Sequence, residues 1–126
     1  MTKILLIEDD SFLVDIYTTK FKQAGFQISV VEQGSEAFES IQKAPPDVIL
    51  LDVVLPHIDG WDILKKLQEQ ETTRDIPVFV LSNLGQKEEI EKGLRLGAKK
   101  YLIKAHYTPS EIIEEIEQFF KEYKNK

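Results

Sequence analysis

Acidic side chains follow two of the most apolar stretches of this sequence. Glu8 and Asp9 come directly after residues 4–7, and Asp52 comes directly after residues 48–51. Four apolar residues in a row, bounded by charged or turn-forming residues, are typical of a strand buried on both faces of a sheet. Ligands and chemistry in open α/β sheets collect at the carboxyl ends of strands. We therefore expect the three carboxylates to meet at one crevice.

Three carboxylates at one crevice repel each other. At about 4 Å and an effective dielectric constant of roughly 20, each pair costs ~4 kcal/mol. A hard divalent cation removes this cost, and Mg²⁺ typically binds a couple of carboxylates while it keeps several waters. Such a site has open positions for phosphate oxygens. The acidic set therefore predicts Mg²⁺ as the cofactor and phosphate as the group that is handled.

Two further side chains with affinity for phosphate follow other apolar runs. Ser82 follows residues 77–81, and Lys104 follows residues 100–103. A lysine supplies a point positive charge, and a serine hydroxyl can donate to a phosphate oxygen. We interpret the set as a phosphoryl-transfer site in which Asp52 is the nucleophile that forms an acyl phosphate. Each residue alone also fits a structural role, but their coincidence at matching strand ends favours the functional interpretation.

Strands and helices alternate in the predicted secondary structure. Strands are predicted at residues 4–7, 26–30, 48–51, 77–81 and 100–103, and helices at about 11–24, 35–43, 86–96, from about 60, and from about 108. Gly25 and Gly97 stop two of the helices, and Thr108 caps the last. Alternation of this kind implies a parallel sheet that is covered on both faces. The polar positions within residues 26–30 indicate an edge strand, which predicts a doubly wound α/β sheet of strand order 2-1-3-4-5.

The bulk composition limits the classes of function. A chain of 126 residues is expected to form one domain over residues 1–126, without an output domain. The absence of cysteine excludes disulfides and thiolate zinc sites. A net charge of −6 argues against direct binding to nucleic acid or to an anionic membrane. Because no signal peptide or long apolar run is visible, we expect a cytoplasmic location.

Together these motifs resemble the receiver domain of two-component response regulators, over essentially the whole chain. The matching residues are Glu8, Asp9, Asp52, Pro56, Asp59, Gly60, Ser82, Tyr101 and Lys104. The resemblance is to the stand-alone, chemotaxis-receiver-like type and implies a flavodoxin-like (βα)5 fold. It also implies Mg²⁺-dependent phosphorylation of Asp52 by a sensor histidine kinase or a phosphotransfer protein. Such a domain is not an enzyme in the wider sense, since it catalyses only its own phosphorylation and dephosphorylation.

The resemblance also implies roles for individual residues. The metal ligands would be Asp9, Asp52, the backbone carbonyl of Val54 and, through water, Glu8. On phosphorylation Ser82 would move toward the phosphoryl group and the Tyr101 ring would turn from outward to inward. The surface of the fourth helix, fifth strand and fifth helix would then change and select a downstream protein target. A homodimer through this surface is left open, and Asp10 is expected only to cap the first helix.

Two positions depart from the family pattern. Asn83 stands where a small residue is usual, which predicts narrower access to the phosphoryl group, and Ala105 stands where proline is frequent, which predicts a more mobile loop. Both support an alternative in which the chain is a receiver-like docking module that needs no phosphate. A third alternative is a phosphatase of the haloacid dehalogenase type, but Val54 occupies the place of its second acid. His57 and His106 lack a second histidine at ligand spacing, so neither is assigned a role.

Overall fold

Five strands and five α-helices alternate in the computed structural model, which describes residues 2–54 and 60–124. The strands are β1 (Lys3–Ile7), β2 (Gln27–Val31), β3 (Val48–Leu51), β4 (Val78–Ser82) and β5 (Lys100–Ile103). The helices are α1 (Ser11–Gln23), α2 (Gly34–Lys43), α3 (Gly60–Glu69), α4 (Lys87–Arg95) and α5 (Pro109–Lys124), and a 3-10 turn spans Lys104–His106. The predicted alternation is confirmed, with bounds that shift by a residue or two.

The strands form one parallel sheet in the order β2-β1-β3-β4-β5. The predicted flavodoxin-like, doubly wound topology is therefore confirmed. The chain leaves β1 for β2 on one side and then passes to β3 on the other, so the order reverses between β1 and β3. A hydrogen bond from the Asp52 backbone N–H to the Ile7 carbonyl (3.0 Å) continues this ladder beyond the strands. It fixes Asp52 beside the end of β1.

The sheet is buried on both faces. All four residues of β3 and all five of β4 are buried, as expected for central parallel strands. Ile49 and Leu51 pack in a cluster that includes residues of α2 and α3. Val48 and Leu50 face the opposite way, into a cluster that includes residues of α1 and α5. Packing on both sides fixes the strand ends, and with them the side chains that follow the strands.

The second strand begins one residue later than the sequence predicts. The α1–β2 turn uses Gly25 at φ +93°, a conformation that glycine adopts readily. The Phe26 N–H donates to the Phe21 carbonyl (3.0 Å), and the two rings lie 5.8 Å apart. Phe26 therefore closes the turn against α1, and the pairing with β1 starts at Gln27.

Several residues of the predicted pattern belong to the segment between β3 and α3. Pro56, His57 and Asp59 lie outside the described residues. Gly60 lies inside them, and its N–H donates to the Val53 carbonyl (3.1 Å) at the start of α3. Within residues 2–54 and 60–124, none of the helices has both the length and the apolar character needed to cross a membrane.

Candidate functional site

Three carboxylates meet at the carboxyl ends of β1 and β3. Glu8, Asp9 and Asp52 each present an oxygen atom, and these atoms lie within 4.8 Å of one another. Glu8 and Asp52 are buried, whereas Asp9 is exposed. An all-oxygen set at this spacing, with one exposed member, fits a hard divalent cation such as Mg²⁺ that keeps part of its water shell. The convergence that the sequence predicts is thus present in the structure.

Lys104 forms ion pairs with two of these carboxylates. Its Nζ lies 2.5 Å from Glu8 Oε1 and 2.8 Å from Asp52 Oδ2. The side chain is only 10% exposed, because it extends from the end of β5 across β4 toward β3. One buried cation therefore balances two buried anions, and the sequence alone does not indicate this function of Lys104.

The electrostatics of this cluster shift two pKa values. Burial raises the pKa of Glu8, and the nearby Asp52 charge adds to this effect, although the hydrogen bond and the positive charge of Lys104 oppose it. Burial alone would lower the pKa of Lys104, but its hydrogen bonds to Asp52 and Glu8 outweigh burial and leave that pKa raised. Lys104 is therefore held as a cation, and Glu8 takes up a proton at higher pH than an ordinary glutamate.

The Asp52 carboxylate is oriented at both oxygens. Oδ1 accepts a hydrogen bond from the Val54 backbone N–H (2.9 Å), and Oδ2 accepts one from Lys104. Val54 is predicted to bind the metal through its backbone carbonyl, and that role remains a prediction. Its N–H was missed, because a contact between the backbone and a side chain two residues earlier depends on the local loop conformation.

The predicted metal-binding and phosphoryl-transfer residues line one open pocket of about 480 Å³, whereas Tyr101 is not part of its lining. Its lining includes Glu8, Asp9, Asp52, Ser82, Asn83 and Lys104. The buried Ser82 Oγ accepts a hydrogen bond from the Leu84 N–H (3.2 Å). A hydroxyl oxygen that accepts in this way keeps its proton available for a second partner. Ser82 can therefore donate to an oxygen atom in the pocket.

The two departures from the family pattern contact each other. Asn83 Oδ1 accepts a hydrogen bond from the Ala105 backbone N–H (3.1 Å). Asn83 borders the pocket, and the narrower access expected from it remains a prediction. Ala105 lies in the 3-10 turn after β5, where this bond gives its N–H a partner that the sequence analysis did not foresee.

Tyr101 lies on β5 with its ring packed against the core cluster that includes α2 and α3. Its hydroxyl donates to the Leu84 carbonyl (2.6 Å), and its ring stacks on Trp61 with centroids 6.4 Å apart. Lys92 Nζ lies 4.9 Å from the centroid of the Trp61 ring. The ring is inward in this structure, and its outward-to-inward movement remains a prediction.

A Gly93→Ala substitution is expected to move the Tyr101 ring. A Cβ atom at Gly93 would lie 2.8 Å from Tyr101 Cδ2 and 3.3 Å from Trp61 Cζ3. Since a contact of 2.8 Å is too short, we expect the Tyr101 ring to shift and the hydrogen bond from its hydroxyl to the Leu84 carbonyl to lengthen. Emission from Trp61, the one tryptophan in the sequence, and the Tyr101 side-chain NMR shifts should change.

The control for this variant is Arg95→Ala, an exposed position on the same helix. It replaces a side chain on α4 without adding an atom beside Tyr101. Emission and Tyr101 shifts should stay at wild-type values in this control. Unchanged emission and unchanged shifts in Gly93→Ala would contradict the packing described for this ring.

The response regulator receiver domain family model matches residues 4–117. One similar protein is the transcriptional regulatory protein QseB of Escherichia coli O157:H7, which is 40% identical over 102 residues, 81% of this chain and 46% of QseB. Another is the DNA-binding dual master transcriptional regulator RpaA of Synechocystis, 35% identical over 104 residues, 82% of this chain and 43% of RpaA. This chain thus spans less than half the length of these curated relatives.

Solved structures give the same assignment. The receiver domain of the Francisella response regulator 1452 is similar with a TM-score of 0.88 and 32% identity, covering 98% of this chain and 99% of that chain. The chemotaxis protein CheY4 of Vibrio cholerae is similar with a TM-score of 0.86 and 25% identity, covering 94% and 98%. From the family match, the shared fold and the site at the strand ends together, we conclude that this chain belongs to the response regulator receiver domain family.

Proposed function

We propose that Asp52 accepts a phosphoryl group in a Mg²⁺-dependent reaction. The observation that carries this proposal is the orientation of the Asp52 carboxylate by Val54 and Lys104, in one pocket with Glu8 and Asp9. The proposed donor is a phosphohistidine of a sensor histidine kinase or a phosphotransfer protein. An Asp52 oxygen attacks phosphorus, the P–N bond breaks as the P–O bond forms, and the leaving imidazole takes up a proton.

Asp9, Asp52, the Val54 carbonyl and, through water, Glu8 would hold Mg²⁺. An ion held by these ligands would neutralise negative charge on the phosphoryl oxygens. Lys104 contributes separately. Its Nζ contacts Asp52 Oδ2 before transfer. Once Asp52 is an acyl phosphate its carboxylate charge is lost, and the ammonium group can bind a phosphoryl oxygen instead.

The proposed switch acts through Ser82 and Tyr101. Donation from the Ser82 hydroxyl to a phosphoryl oxygen would favour one arrangement of the segment that follows β4, and this differential contact shifts the population. Support comes from Leu84, because its N–H bonds Ser82 while its carbonyl accepts from Tyr101. The α4-β5-α5 surface then binds a downstream protein target, or a second copy of the chain.

The remaining features of the proposal concern the whole protein. We propose that this receiver domain is located in the cytoplasm and catalyses only its own phosphorylation and dephosphorylation. The net charge of −6 supports protein partners over nucleic acid or anionic membrane.

The test is intact mass after incubation with acetyl phosphate, with and without Mg²⁺, on wild type and Asp52→Asn. Asparagine keeps the size of the side chain and removes the nucleophilic carboxylate. We expect one phosphoryl group to be added only to wild type and only with Mg²⁺. An adduct on Asp52→Asn would refute Asp52 as the acceptor, and no adduct under any condition would favour the docking module that needs no phosphate.

A further inference from the structure

One side chain that borders the pocket ties two loops together and has no role in the chemistry assigned above. Asn83 follows Ser82 at the end of β4, and Ala105 follows Lys104 at the end of β5. The hydrogen bond from the Ala105 N–H to Asn83 Oδ1 (3.1 Å) therefore joins the backbone beside the serine to the backbone beside the lysine. These two positions are 22 residues apart in the chain.

The turn after β5 explains why Ala105 needs this partner. Lys104–His106 forms a 3-10 turn, and the first N–H groups of a helical turn have no acceptor within it. The turn closes with a long bond from the Tyr107 N–H to the Lys104 carbonyl (3.5 Å), so its own hydrogen bonding holds it weakly. Asn83 supplies an acceptor from a neighbouring strand end and anchors the start of the turn.

The Asn83 end of the bond lies in a segment that is held more firmly by its own hydrogen bonds. Ser82 Oγ accepts from the Leu84 N–H, and the Leu84 carbonyl accepts from Tyr101. Asn83 lies between Ser82 and Leu84 in the chain, and its hydrogen bond to Ala105 connects this segment to the turn that contains Lys104. Because Ala105 is the donor, the amide oxygen of Asn83 must face it, and the amide nitrogen carries no part of this contact.

We propose that Asn83 is a positioning residue for phosphoryl transfer, which holds the backbone of Lys104 so that its Nζ reaches Asp52. The inference rests on the proposed function. A lysine side chain has many rotamers, so fixing its backbone end limits the positions that its ammonium group can occupy. Small displacements of a group that binds the reacting phosphoryl lower the rate of transfer.

The experiment compares wild type with Asn83→Ala and Asn83→Asp. Hydrogen exchange at the Ala105 amide reports the bond, and initial rates of labelling by acetyl phosphate with Mg²⁺ are measured over a range of donor concentrations. In Asn83→Ala we expect faster exchange at Ala105 and a maximal rate lower by roughly three- to tenfold, the effect of losing one hydrogen bond. The half-saturating donor concentration should not change.

The Asn83→Asp variant distinguishes a loss of the positioning of Lys104 from a general disruption of the pocket. It keeps an acceptor for the Ala105 N–H but adds a negative charge to a pocket already lined by three carboxylates. We expect slow exchange at Ala105 and a maximal rate near that of wild type, with a raised half-saturating concentration because the donor is an anion. Gln86→Ala is the matched control, since within the described residues this exposed amide makes no capping hydrogen bond, and its rates should equal those of wild type.

Three outcomes would overturn the inference. A wild-type maximal rate in Asn83→Ala despite fast exchange at Ala105 would show that the bond does not position Lys104. Unchanged exchange in Asn83→Ala would show that the bond does not protect this amide. In both cases, phosphoryl labelling of the wild-type protein would still support the proposed function. The third outcome is a wild-type protein that is never labelled, which would contradict both the proposed function and this inference.

Discussion

Replacing Lys104 by methionine is expected to destabilise the fold by about 3 kcal/mol in Mg²⁺-free buffer at neutral pH, because breaking a buried ion pair leaves an uncompensated charge. In Lys104→Met, the carboxylates of Glu8 and Asp52 both lose the lysine that balances their charge. The side chains of Glu8 and Asp52 are 1% and 8% exposed, so water solvates neither well. Methionine keeps much of the length and apolar stem of lysine, which isolates the effect of the charge. Urea unfolding gives the change in the free energy of unfolding.

The loss of stability caused by Lys104→Met should become smaller at lower pH. The pKa of Glu8 is already raised, chiefly by burial, and without Lys104 it rises further because the hydrogen bond that lowers it is gone. A raised folded pKa means that protonation stabilises the folded state below the unfolded value of 4.5 and that this stability is lost as pH rises through the folded pKa. The destabilisation of Lys104→Met should therefore shrink as the pH falls through the raised pKa of Glu8.

A double variant supplies the control for Lys104→Met. Glu8→Gln added to Lys104→Met removes one of the two unbalanced charges while it keeps the shape of the side chain. We expect this double variant to recover more than half of the lost stability at neutral pH. If Lys104→Met unfolds at the same urea concentration as wild type, or if Glu8→Gln brings no recovery, the charge balance described for this cluster is wrong.

Gly60→Ala is the second substitution with a large expected effect. A Cβ atom at this position would lie 2.2 Å from Val53 Cα and 2.8 Å from the Asp52 carbonyl oxygen. Both are backbone atoms, so no side-chain rotation relieves the overlap, and either the start of α3 or the segment after β3 must shift. Overpacking costs about 1–3 kcal/mol and sometimes more, and we expect a loss of about 3 kcal/mol here. Urea unfolding measures this loss.

Gly85→Ala is the matched control for Gly60→Ala. A Cβ atom at Gly85 would meet only the end of the Ile103 side chain, at 3.2 Å, and that side chain can move. We expect Gly85→Ala to change the free energy of unfolding by less than about 0.5 kcal/mol. Equal stability of the two alanine variants would contradict the close approach of α3 to the backbone beside Asp52.

The sequence predicts the sheet and the location of the site because both depend on local patterns. The apolar run before Asp52 predicts a central strand, and all of its residues are buried. The apolar run before Glu8 likewise predicts a buried strand. Because the strands are parallel, the residues that follow them lie at one edge of the sheet. Burial on both faces places such runs at the centre of the sheet, and the polar positions within residues 26–30 indicate an edge strand, so the strand order could be predicted as well.

The side-chain contacts of Lys104, Asn83 and Tyr101 could not be predicted because they join residues that are distant in the chain. The pairing of Lys104 with Glu8 spans 96 residues, and its geometry depends on how far β5 lies from β1 across the sheet. Asn83 and Ala105 each departed from the family pattern, but their bond depends on the shape of two loops. The inward position of the Tyr101 ring depends on the space left by Gly93. A glycine within a helix does not by itself indicate which aromatic ring packs against it.

The most direct test of the central claim is reductive trapping of the phosphorylated chain. Borohydride reduces an acyl phosphate to an alcohol, so a phosphorylated aspartate becomes homoserine and can be found by peptide mass mapping. After treatment with acetyl phosphate and Mg²⁺, we predict homoserine at position 52, with none there when Mg²⁺ is omitted. Homoserine at Asp9 instead, or a phosphoryl adduct that resists borohydride, would contradict the assignment of Asp52 as the phosphoryl acceptor.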